Sequence, residues 1–345
     1  MKHRNDQNLL SAMALFIVLA SCSPGPQAGG GIGGTGQIAS VASGPITGFG
    51  SIFVSGTEYD TTHTSMTIDG KSGSQSDLKK GMIVRVDATL TERSGTNDPA
   101  LRAANRLLYE DTLEGFVQSV AADGSHLVVL GQIVTVTSAT TIDASILGGK
   151  VLNLVPGRDL VEVSGFVLGD GIIRGTFIGL KMLDTKAETP DYQVKGFIKG
   201  HQPDQKTFEI GELTVDYRDA VLNDLVGRSI GVWDGLLINV TGKQIASGGR
   251  GSPKIRLTAA LVSQEGLGSE QSEGAELEGF VTRVLSAGDF FIGNVHVLTS
   301  TGTRFEGGGP GDIQLGAHVE VHGPLVAGIV KATIVEFETE PEVLP

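Results

Sequence analysis

The chain has 345 residues, with 26 Lys and Arg against 39 Asp and Glu and a formal net charge of −13. That acidity, with no clustered Lys or Arg, excludes a phosphate-backbone partner, so no nucleic-acid binding is expected. Gly accounts for 50 residues, aromatics for only 5%, and there is one Cys, so no disulfide can brace the fold and many short strands with tight turns are expected.

Met1-Lys2-His3-Arg4 is a short positive stretch, and Leu9 to Ala20 is almost wholly apolar. That run is too short to span a bilayer, which takes about 20 apolar residues. Residues 1–21 therefore read as a secretory signal. Its end, Leu19-Ala20-Ser21-Cys22, resembles the bacterial lipobox, in which the cysteine becomes the acylated first residue of the mature chain. The resemblance implies lipid attachment at Cys22 and a membrane as first partner. Ser23, where an Asp would imply retention at the inner membrane, implies an outer-membrane lipoprotein facing the periplasm or the cell surface. Residues 22–44 are a flexible Gly/Pro linker. Within it, Gly31 to Gly36 spells G-x-G-x-x-G, but that motif needs a strand before it and a helix after it. It is read as linker, and no cofactor-binding residue is assigned.

Four β-units are expected after the linker, at residues 45–111, 113–183, 192–262 and 276–337, with a tail at 338–345. Each carries a Gly-Phe pair: Gly48-Phe49, Gly115-Phe116, Gly196-Phe197 and Gly279-Phe280. A hairpin follows, as in Phe290-Phe291-Ile292-Gly293-Asn294-Val295-His296-Val297, where Gly takes up positive φ without steric cost. Next come alternating strands, expected at Gly81–Val86, Gly157–Val163, Gly227–Val232 and Gly316–Val321. Closing strands are expected at 104–109, 172–178, 255–262 and 329–337. The segment before the alternating strand could hold a short helix, as at 144–154. Linkers are expected at 184–191 and 263–276, and an internal loop at 242–253.

Five short strands with that connection give the pattern of a small OB-like barrel, so the fold class is all-β: about four tandem five-stranded barrels. A string of small sandwiches and one continuous curved sheet are the alternatives.

Several segments carry a resemblance. They are Gly30 to Gly36, the run Gly44-Pro45-Ile46-Thr47-Gly48-Phe49-Gly50-Ser51-Ile52, and the openings Glu114-Gly115-Phe116-Val117 and Glu278-Gly279-Phe280-Val281. In these the chain resembles a bacterial family of tandem small β-domains of unknown function found in predicted lipoproteins. Unit three departs, with Lys195 in place of the Glu. The resemblance implies domain type and location, and no activity.

The sharpest chemical feature lies in unit four. His318, Glu320 and His322 alternate along one strand and face one side, and His296 lies in the same unit's hairpin. Two His at i and i+2 with a carboxylate can reach one Zn²⁺ at about 2 Å. The competing reading is a solvated strand face, since Val319 and Val321 take the core side. Asp123-Gly124, Asp170-Gly171 and Asp234-Gly235 read as turns rather than calcium sites, and Trp233 and Tyr217 as core. No G-x-S-x-G elbow occurs and the one thiol is assigned to the lipid, so no catalytic residue is expected and a hydrolase is the minor reading. The expectation is a non-enzymatic envelope protein that binds or scaffolds a protein or glycan. Divalent-metal binding through His296, His318, Glu320 and His322 is the alternative.

Overall fold

The computed structural model describes residues 37–91, 101–181, 191–223, 225, 233–246 and 255–339. The expected signal, Cys22 and residues 22–36 of the expected linker lie outside them, and linker residues 37–44 are corrected to strand, the start of Gln37–Phe49. The described residues form β-strands and short 3-10 turns, with no α-helix.

The chain folds into four five-stranded rings. Ring one uses Gln37–Phe49, Ile52–Val54, Thr57–Tyr59, Ile83–Thr91 and Leu101–Tyr109. Ring two uses Leu113–Val120, His126–Val129, Gln132–Thr135, Leu160–Val167 and Ile173–Leu180. In ring three the first strand, Tyr192–Phe197, resumes after Ile198 as Lys199–Gln202; Thr207–Ile210, Leu213–Asp216, Leu237–Ala246 and Ile255–Gln264 follow. Ring four uses Gln271–Ser286, Asp289–Ile292, Val295–Leu298, His318–Val326 and a broken last strand, Ile329–Lys331 then Ile334–Phe337.

Ring four shows the closure fully. The first strand pairs antiparallel with the second and the fourth, the third runs parallel to the fifth, and the fifth returns antiparallel to the fourth. That order, 1-2-3-5-4-1, is the OB-type barrel. Ring two repeats it. In ring one the parallel contact between third and fifth strands is a single bridge, Asp60 to Ala103. Closure leaves no free edge inside a ring.

Two glycine positions explain why the sequence repeats as it does. A Cβ on Gly115 would stand 2.6 Å from Leu130 Cγ, and one on Gly279 would stand 2.6 Å from Ile292 Cγ2. Gly196 meets Ile210 in the same way. In rings two to four an apolar side chain at the end of the second strand or just after it folds over this glycine, so the glycine is a packing requirement. In ring one register places Gly44, against Ser55, at that position, and the expected Gly48-Phe49 pair lies farther along the strand. The other position is in the fourth strand. Gly165, Gly242 and Gly323 lie against the carbonyl oxygens of Arg174, Thr258 and Lys331, where a Cβ would overlap backbone. The register breaks at the first two, as β-bulges, and strand pairing breaks off beside the third.

The expected order of elements is corrected in places. Ring three's fourth strand is Leu237–Ala246, with five of its residues inside the expected loop 242–253. The expected strand Gly227–Val232 lies outside the described residues. The expected helix at 144–154 is two 3-10 turns, Leu147–Gly149 and Val151–Asn153. Of the expected linker 263–276, only 265–270 lies between strands.

Rings also join through their first strands, and not in chain order. Those of rings one and four run parallel, Ser40 opposite Gly274 through Ser43 opposite Leu277. Those of rings two and three pair antiparallel, Gln193 opposite Glu114. One buried apolar cluster runs through rings two and three, while rings one and four each centre on their own.

Candidate functional site

The strand pairing of ring four decides where the expected metal residues fall. On the first strand Glu276, Glu278 and Phe280 lie opposite His322, Glu320 and His318 of the fourth. Leu277, Val319 and Val321 turn into the core, so the charged set shares the outer face. That face is not freely solvated: Glu276 and Glu320 are both buried.

The four expected residues do not form one site. His322 Nε2 lies 3.1 Å from Glu320 Oε1, and its Nδ1 lies 3.9 Å from Glu276 Oε2. The hydrogen bond that His322 donates to Glu320 raises the His322 pKa against the effect of burial. His318 is engaged farther along that face, with Nε2 3.2 Å from Glu278 Oε1 and its ring stacked on Phe280 at 4.3 Å. His296 is on the third strand, bonded to Asp289 Oδ1 at 2.7 Å and stacked on Phe291. It is not across from the fourth strand, because the fifth strand lies between them. The residue that sequence reasoning missed is Glu276, which register places opposite His322.

A cleft of about 390 Å³ opens where rings one, two and four meet. Its wall includes Thr47 and Lys80 of ring one, Thr140, Phe166, Arg174 and Thr176 of ring two, and Glu278, Phe280 and His318 of ring four. Phe166 meets Phe280 edge-on at 5.4 Å, and the Arg174 guanidinium lies 4.9 Å from the Phe280 centroid. Two buried polar atoms of wall residues, Thr176 Oγ1 and His318 Nδ1, have no hydrogen-bond partner.

A third cluster lies where ring one passes into ring two. Lys181 Nζ contacts Asp69 Oδ2 at 2.7 Å, Asp111 Oδ2 at 2.8 Å, Glu162 Oε2 at 3.2 Å and Glu114 Oε2 at 3.3 Å. Tyr109 donates to the other Asp111 oxygen at 2.7 Å. Burial pushes Glu114 and Glu162 up to about 7 against the pull of Lys181. Burial also works against the Lys181 charge, but the four carboxylates, Asp111 foremost, outweigh it and raise its pKa. One ammonium thus holds four carboxylates from three segments of chain. Its members are scattered in sequence, and no spacing signals it.

Trp233 and Tyr217 are buried in the core shared by rings two and three, with His201 stacked on Trp233 at 4.3 Å. The Asp-Gly pairs take up turns: Asp123 Oδ1 accepts from Ser125 N and Asp170 Oδ1 from Ile172 N, each at 2.9 Å.

Three segments, residues 35–96, 114–178 and 278–336, match the family described as Domain of unknown function (DUF5666), and together they are more than half of the chain. The chain belongs to the DUF5666 family. The matched segments correspond to rings one, two and four, so the DUF5666 unit is the five-stranded ring. Ring three has the same strand order without a match of its own. No curated protein matches the chain.

Proposed function

We propose that this DUF5666 protein is a lipid-anchored component of the cell envelope that binds a glycan rather than catalysing a reaction, and that the cleft among rings one, two and four is its binding site. The observation that carries this reading is the cleft itself, set where three rings meet and lined by Thr47, Lys80, Thr140, Glu278 and the Phe166–Phe280 pair. Ligand sites are typically clefts of about 300–1,000 Å³ at domain junctions with a few convergent polar groups on an apolar wall. Threonine hydroxyls, Lys80, Glu278 and the aromatic pair suit a hydroxyl-rich ring better than an extended apolar peptide. The anchor part rests on the apolar run ending at Cys22 and on Ser23, which favours the outer membrane.

Calorimetric titration of the full chain with neutral and acidic envelope oligosaccharides tests the cleft. One class should bind, and Lys80→Ala should weaken it about three- to tenfold by removing one hydrogen bond. Failure of every saccharide, or equal binding by the variant, refutes the site. Labelled palmitate should enter the wild-type protein and not Cys22→Ser; label in both would end the anchor reading.

A further inference from the structure

Rings two and four carry the same pair of opposed glutamates, but ring two meets it with one shared ammonium and ring four with two separate histidines, His318 on Glu278 and His322 on Glu320. In ring two Glu114 lies directly opposite Glu162, and Lys181 Nζ contacts both. In ring four Glu278 lies opposite Glu320, and Glu320 lies opposite Glu336 on the last strand. Like charges directly opposed across a sheet repel. The equivalence extends to the lysine. Lys181 gives its backbone N–H to Leu160 O, at the start of ring two's fourth strand, at 3.0 Å. Glu338 gives its N–H to His318 O, at the start of ring four's fourth strand, at 3.0 Å. Where ring two places its ammonium, ring four places a fifth carboxylate, after Glu276, Glu278, Glu320 and Glu336.

Burial makes that arrangement expensive. Glu276 is 8% exposed and Glu320 is 7% exposed. Glu276 Oε1 is buried and has no hydrogen-bond partner, although Arg102 of ring one, on the wall of the same cleft, and His322 both attract the carboxyl. One ligating atom each from Glu276, Glu320 and His322 lies within 4.8 Å of the others. A metal bonded at about 2.0–2.2 Å to one nitrogen and two oxygens would draw them together by roughly 1 Å. Glu276 and His322 line an open cleft of about 360 Å³, which gives an ion a path in and leaves a fourth position for water.

We propose that ring four holds a divalent cation of the Zn²⁺ type on Glu276, Glu320 and His322, doing for its glutamate row what Lys181 does for ring two. The mixed nitrogen and carboxylate set suits Zn²⁺ better than Ca²⁺ or Mg²⁺, which take oxygen donors. Neither His296 nor His318 takes part, because each is committed to its own carboxylate and ring stack.

The experiment is titration of the chelator-treated full chain with Zn²⁺ and with Ca²⁺, read by calorimetry and by Tm. One Zn²⁺ should bind and raise Tm by several degrees. His322→Ala and Glu276→Gln should each lose about tenfold or more in affinity, while His296→Ala binds as wild type. Glu338→Lys, which restores the ring-two ammonium, should raise the Tm of the metal-free chain and abolish the Zn²⁺-induced rise. Circular dichroism of each metal-free variant separates lost binding from lost folding. No Zn²⁺ binding by the wild type, undiminished binding by His322→Ala, or preference for Ca²⁺ would each overturn the proposal. This site is independent of the glycan cleft: oligosaccharide binding can fail while Zn²⁺ binding stands, and the reverse.

Discussion

Lys181→Met is the most informative perturbation of the scaffold. The methionine keeps the aliphatic stem and removes the ammonium that contacts four carboxylates at 2.7–3.3 Å. Asp111 is wholly buried, and Glu114 is nearly so. Removing one partner of a buried ion pair costs about 3–5 kcal/mol, because the other is left charged and unsolvated. The loss must depend on pH. In the wild type, Glu114 and Glu162 stand at about 7, above their ordinary 4.5. Between pH 4.5 and 7 the folded state therefore holds more protons than the unfolded one. Stability from this pair is fullest below 4.5 and declines as pH rises through that window. Without the lysine, nothing pulls the carboxyls back and their folded pKa values rise further. Protonation can then relieve the variant in acid but not in base. Urea unfolding should show a loss of about 3–5 kcal/mol at pH 8 that shrinks by more than half at pH 5. Equal losses at the two pH values, or a loss under about 1 kcal/mol at pH 8, would refute the reasoning.

Three further outcomes follow from the geometry. Gly279→Ala should destabilise ring four by about 1–3 kcal/mol through overpacking, since the new Cβ meets Ile292 Cγ2 at 2.6 Å, whereas Gly48→Ala, 3.4 Å from Phe53 Cδ2, should change the urea midpoint little. Asn294→Ala should cost about 1–3 kcal/mol and increase hydrogen exchange at Leu237, because Asn294 Oδ1 accepts from Leu237 N at 2.9 Å and its Nδ2 donates to Leu237 O and Glu265 O, tying ring four's hairpin to ring three. Gly323→Ala puts a Cβ into Lys331 O and should lower Tm more than Gly279→Ala, because backbone gives way less than the end of a side chain.

Strand type and ring topology were legible because they rest on local signals: alternation, Gly-centred turns and the Gly-Phe repeat. Pairing between distant segments was not. Local alternation suggests a strand at Gly227–Val232 and a loop from Gly242, while the strand that pairs with Tyr192–Phe197 is Leu237–Ala246, half of it inside that loop. A signal did exist in the bulge, written Val163-Ser164-Gly165, Val240-Thr241-Gly242 and Val321-His322-Gly323, with Val86-Asp87-Ala88 in ring one. Aligning on that triplet places ring three's fourth strand correctly. The site divides the same way. His318, Glu320 and His322 share a face because period two is local. Glu276 and the Lys181 cluster come from register between strands far apart in sequence.

The residue before the Gly-Phe pair of rings two, three and four shows how one scaffold position acquires different chemistry. Glu114 faces Glu162 and both are held by Lys181. Lys195 faces Asn239 and pairs with Glu265 at 3.4 Å. Glu278 faces Glu320 and contacts His318. Backbone and core demand the glycine that follows, so that glycine cannot vary freely. The residue before it points away from the core and is constrained only by charge balance with its neighbours. Rings two and three satisfy that balance with a lysine. Ring four brings two histidines and no lysine to the same face: His318 answers Glu278, and His322 stands between Glu276 and Glu320, the three groups on which the proposed cation would rest.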